Sequence, residues 1–121
     1  MSPEKRNQAL LYDMLHAAVA ARGFVVARTF VEYEADLLLR SAVERQVEII
    51  GEAARGVSTG FKTDHPEIPW RRIMAQRHVL AHEYGDIKND RIWNVATVDL
   101  PELIRHLEPL VPVPPSTEGL E

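Results

Sequence analysis

The chain has 121 residues, of which 45% are hydrophobic and 26% charged, with no cysteine and a formal net charge of −4. That length suits one hydrophobic core and leaves no room for a second. The missing cysteines exclude a disulfide scaffold, a cysteine zinc site, an iron–sulfur cluster and a thiol nucleophile, and the acidic balance excludes a surface that is basic throughout, while leaving room for a local basic cleft. No apolar run approaches the ~20 residues of a membrane span. The opening Met-Ser-Pro-Glu-Lys-Arg lacks the apolar stretch of a signal peptide. A soluble, cytoplasmic protein is expected.

Ser2-Pro3-Glu4 reads as a helix start: a capping hydroxyl, a proline at the first helical position and an acid near the positive end of the dipole. Leu10, Leu11, Met14, Leu15, Ala18 and Ala21 follow at helical spacing, which predicts a helix over 3–22 that stops at Gly23. Residues 24–27 read as an apolar connector. Thr29 can cap a second helix carrying Phe30, Tyr33, Leu37 and Leu38. A third, over 39–60, has the stripe Leu39, Val43, Val47, Ile50, Ala54 and Val57, beside a row of Glu44, Glu48 and Glu52 that reads as a solvated face. His65-Pro66-Glu67-Ile68-Pro69 breaks the pattern, because two prolines three apart cannot continue a helix. A fourth helix is expected from Pro69-Trp70 to Glu83, ended by Gly85-Asp86. Short helices over 91–96 and 99–111 follow, the last with the stripe Leu100, Leu103, Ile104, Leu107 and Leu110. The fold class is therefore all-α: an antiparallel bundle of four long helices plus one or two short helices over residues 1–111. Residues 112–121, rich in proline, are expected to form a disordered tail.

Segment 71–82 holds three arginines and two of the five histidines and no acid. In an acidic chain that local excess suits either a phosphate-bearing ligand or an ordinary solvated face. At ~100° per residue, Trp70, Ile73, Met74, Leu80, Ala81 and Tyr84 form one apolar sector with Arg77 near its middle. A guanidinium there is either an ion-pair partner of Glu44 or Glu48, or an anion-binding group at the floor of a cleft. His82 lies ~140° around the helix from Arg77. Bringing both to one site requires that the helix unwind near Gly85 or that two copies of the chain converge on a two-fold axis. His78 and His82, four apart, have the spacing of a zinc pair, but no third ligand beyond Glu83 follows, so no metal site is assigned. There is no glycine-rich phosphate loop. Ser41, Ser58 and Ser116 lack the context of a nucleophile, and Trp70 and Trp93 read as packing residues rather than base-stacking platforms.

Arg77-His78-Val79-Leu80-Ala81-His82-Glu83-Tyr84 resembles the Arg-x4-His-x-Tyr motif of HepT-like proteins, the toxin members of the HEPN superfamily. Glu48-Ile49-Ile50-Gly51-Glu52-Ala53-Ala54, Pro66-Glu67-Ile68-Pro69-Trp70-Arg71, Ile92-Trp93 and Asp99-Leu100-Pro101-Glu102-Leu103 extend the resemblance over roughly residues 5–111, in order and at matching spacing. His78 stands where asparagine is commonest. The resemblance implies a homodimer with its two motifs facing across a groove. It also implies a metal-independent endoribonuclease toxin of a type II-like or type VII toxin–antitoxin system, with no cofactor and with RNA, transfer RNA among the candidates, as substrate. Its partner would be an MNT-type nucleotidyltransferase antitoxin that transfers AMP onto the motif tyrosine, here Tyr84. The residue types suit that chemistry: His82 as general acid/base, Arg77 as phosphate clamp, Tyr84 as positioning and modification residue, and His78 in support. Two other readings compete with it. One is a catalytically silent helical dimer that serves as binding partner or AMP acceptor of the nucleotidyltransferase. The other is a plain structural dimer with Arg77 in a buried ion pair.

Overall fold

The computed structural model describes residues 2–112, so the expected tail from 113 onward lies outside the described residues. All regular structure among them is helical. Helix α1 spans Pro3–Val25, α2 Phe30–Ala35, α3 Leu37–Gly56, α4 Thr59–Asp64, α5 Trp70–His82, α6 Gly85–Asn94 and α7 Leu100–Leu107. A π-helical turn over Val95–Asp99 joins α6 to α7 without a break in helical backbone, and a 3₁₀ turn over Glu108–Leu110 completes the rod. None of these helices is long and apolar enough to cross a membrane.

Helix α1 begins as expected: the Ser2 side chain accepts from the Lys5 amide, with Pro3 at the first helical position. It does not stop at Gly23 but continues to Val25. A glycine inside a helix costs only about 1 kcal/mol relative to alanine, and the buried Ala21 and Val25 on either side carry the backbone through. Thr29 and Glu32 form a reciprocal capping box at α2, the Glu32 amide donating to Thr29 Oγ1 and the Thr29 amide to Glu32 Oε1. Those donated bonds hold the Glu32 carboxyl below its usual range. Leu37 and Leu38 belong to the first turn of α3 rather than to α2, and both are exposed.

The expected stripe of α3 is buried in full, from Leu39 to Val57. The helix ends at Gly56, not at residue 60, because Ser58 takes extended backbone and starts α4 by accepting from the Phe61 amide. Ser58 is also tied to α1. Buried Asn7 donates to Ser58 Oγ at 2.9 Å and accepts from the Ser58 amide at 3.0 Å, which satisfies the side-chain amide.

Helices α1, α3 and α7 enclose the core, with Leu11, Met14, Ala18, Val43, Ala54 and Leu107 wholly shielded from solvent. Tyr33 is shielded too and packs against Trp93, which is itself half-buried beside Phe30. Burial raises the Tyr33 phenol far above its ordinary value, and its hydroxyl has no hydrogen-bond partner among the described residues. Trp70 is buried as well, its indole N–H donating to the His65 carbonyl at 2.9 Å across the Pro66–Pro69 break. Helix α5 packs on the face of α3 that α1 leaves free.

Candidate functional site

The residues singled out in the sequence lie along α5 and just beyond it. Buried Ile73 and Val79 seat the helix on the core. Its last turn closes with the Glu83 amide donating to the Val79 carbonyl at 3.0 Å. Glu83 and Tyr84 then take extended backbone. Gly85 follows at φ +54°, a left-handed conformation that favours glycine. Gly85 therefore opens α6 rather than ending α5, which stops three residues earlier, at His82. Tyr84 falls outside the apolar sector assigned to it: it sits on the two-residue link and is 79% exposed.

Arg77, His78 and His82 line one open groove of about 630 Å³, together with Met74, Leu80 and Ala81 of α5 and Glu48 and Arg55 of α3. The ~140° between Arg77 and His82 does not separate them. Both line the groove while α5 stays helical through His82, and the stem of Arg77 lies against Gly51 of α3. The His78 and His82 rings lie 4.3 Å apart between centroids, at 44°. The described residues include no cluster of three or more metal-ligating side chains.

Arg77 is half-buried and forms no ion pair among the described residues. Both carboxylates considered as its partners are engaged elsewhere, Glu44 with Lys88 at 3.3 Å and Glu48 with Arg45. The expected solvated row is therefore two ion-paired acids, each partly buried, and an exposed Glu52. What holds Arg77 is a gap in α3. A Cβ on Gly51 would stand 2.7 Å from Arg77 Cγ and 3.1 Å from its Cδ, closer than non-bonded carbons approach. The aliphatic stem crosses α3 at that glycine and leaves the guanidinium in the groove.

Gly51 and Arg55 are the residues that the motif did not reveal. A signal for Gly51 was present: a glycine in the middle of a well-patterned helix costs about 1 kcal/mol and marks a close approach of something to the backbone. Arg55 carried none, since a basic residue in the last turn of a helix is explained by the helix dipole alone.

On the other face of α5 a smaller hollow of about 290 Å³ is lined mainly by apolar side chains, among them Val47, Ile50, Ile73, Leu100 and Leu103. Arg72 stands at its rim with its charge matched, 3.0 Å from Asp99. Arg77 and the two histidines of α5 lie on the groove side.

The described residues are thus all-helical, and an arginine and a histidine of α5 line the same groove. The chain belongs to the ribonuclease HepT-like family, whose family model matches residues 14–110. A Methanocaldococcus jannaschii protein named "Putative RNase" is 32% identical over 101 residues, covering 84% of this chain and 93% of that protein. The "Probable ribonuclease HepT" of Thermococcus cleftensis is 32% identical over 107 residues, covering 88% and 97% respectively. No solved structure matches the chain significantly.

Proposed function

We propose that the protein is a metal-independent endoribonuclease toxin that cuts RNA, with transfer RNA a fitting substrate, in the groove at the end of α5. The observation that carries this reading is the Arg77 guanidinium, unpaired among the described residues, sharing one open groove with His82. A cation left without a carboxylate and only half-buried is available to an anionic ligand.

RNA supplies its own nucleophile. The 2′-hydroxyl gives up its proton as its oxygen attacks the adjacent phosphorus. The bond from phosphorus to the 5′-oxygen breaks, and that oxygen takes a proton. The products are a 2′,3′-cyclic phosphate and a free 5′-hydroxyl. His82 is assigned the proton transfers, a role typically worth 10²–10⁴-fold. Arg77 stabilises charge on the non-bridging oxygens, and His78, in ring contact with His82, supports it. In a homodimer the two grooves would face each other; the exposed Tyr84 of the motif and Ile87 just beyond it offer surface for that contact.

Tyr84 positions substrate and accepts AMP from an MNT-type nucleotidyltransferase antitoxin within a type II-like or type VII system. Its exposure supports that role, since a transferase must reach the phenol oxygen. AMP two residues from His82 would add negative charge and bulk at the mouth of the groove and repel RNA.

The test is cleavage of RNA in EDTA by the purified chain beside His82→Ala. Cleavage by the first alone is expected, with cyclic-phosphate ends. Equal cleavage by both would remove His82 from the site. Absence of cleavage by both, with an intact mass free of AMP, would favour the catalytically silent acceptor, for which the exposed Tyr84 is the supporting observation. In that case co-expression with the transferase should add one AMP at Tyr84.

A further inference from the structure

We infer that Arg55, on α3, is a second phosphate-binding residue of the groove, so that the site holds two successive phosphates of an RNA strand rather than the scissile phosphate alone. This rests on the ribonuclease reading above and goes beyond it by defining the length of substrate the groove engages.

Glu48, Gly51 and Arg55 stand at i, i+3 and i+7 on α3, which places them on one stripe of the helix. The stripe forms the groove wall opposite α5: Glu48 and Arg55 line the groove, and Gly51 receives the stem of Arg77. The wall is polarised. At one end the Glu48 charge is answered by Arg45. At the other, Arg55 is exposed and has no ion-pair partner among the described residues, even with Glu52 one turn before it. Arg55 is rooted four residues, ~6 Å along the helix axis, beyond the glycine where Arg77 crosses. That spacing is of the order of one phosphate-to-phosphate step along a strand. Two guanidiniums so placed, unmatched among the described residues and with His82 lining the same groove, would engage the scissile phosphate through Arg77 and a neighbouring phosphate through Arg55.

A dinucleotide carries only the scissile phosphate, and a trinucleotide carries one more. Arg55→Ala should therefore lower kcat/KM about tenfold more for an RNA of ten or more residues than for a dinucleotide, through KM rather than kcat. Binding of that longer RNA to the cleavage-dead His82→Ala chain should lose about 0.7 from the slope of log K against log salt when Arg55 is also removed, as expected for one fewer phosphate contact. Arg55→Lys should restore the slope. A loss that is equal for dinucleotide and long RNA, or an unchanged salt slope, would overturn the proposal and leave Arg55 a helix-terminal charge. If the unsubstituted chain neither cleaves nor binds RNA, the ribonuclease reading itself fails. Normal cleavage of long RNA by Arg55→Ala defeats only the second phosphate contact.

Discussion

Helix α3 is packed from two sides, and a glycine serves each contact differently. Toward α1, Gly56 faces the end of Leu10, 3.0 Å from where a Cβ would stand, within an interface built on wholly buried Leu11, Met14 and Ala18. Toward α5, Gly51 faces the stem of an arginine whose charge no acid among the described residues answers. The first contact lets apolar surface close up, which is the main favourable term in folding. The second makes room for a cation where packing alone would have placed a hydrophobe. The same absence of a side chain thus supports stability on one side of α3 and shapes the site on the other.

Substitutions can break that contrast. The largest effect belongs to the α1 side: Leu11→Ala should cost about 2–5 kcal/mol of unfolding free energy, read by denaturant titration. Gly51→Ala should instead lower RNA cleavage about tenfold or more while moving the unfolding midpoint little, because the methyl displaces Arg77 while the helix gains propensity. A large stability loss with normal cleavage would show that the glycine serves packing only. Tyr33→Phe should raise stability by about 1 kcal/mol, since it removes a buried hydroxyl that has no partner among the described residues. Gly23→Ala should add about 0.4–1 kcal/mol, as a Cβ there meets nothing within 4 Å inside a continuous helix. The smallest effect sharpens the comparison most: Arg77→Ala should change stability by no more than about 0.5 kcal/mol. A loss of several kcal/mol would reveal a buried ion pair after all.

The elements that were legible in the sequence are those whose signals are local. The Ser2-Pro3 start, the Thr29 cap, the stripe from Leu39 to Val57 and the break at Pro66–Pro69 all stand where residue chemistry put them. Errors arose where a local signal was weaker than its surroundings. Gly23 reads as a stop, but buried neighbours carry α1 past it. Gly85 reads as the end of α5, but its left-handed backbone serves the entry to α6. Of the site, the α5 residues were legible because they lie within one short segment. Its second wall was legible only in part: Glu48 stood among the partners considered for Arg77, but the approach of Gly51 to Arg77 joins positions 26 apart in sequence, and helical periodicity carries no information about which helices meet.

The π turn over Val95–Asp99, where the Leu100 amide donates to the Val95 carbonyl five residues back, has a consequence for how the chain tolerates changes in length. Such a turn takes up one residue more than the α turn it replaces. Deleting one residue from most of the rod would rotate everything beyond it by ~100° and carry Leu103 and Leu107 off the core. Deleting one within the π turn lets that turn tighten to α geometry, so both flanks keep their phase. This one stretch is therefore where the rod has slack, and where relatives can differ by a residue without turning α7 away from α1.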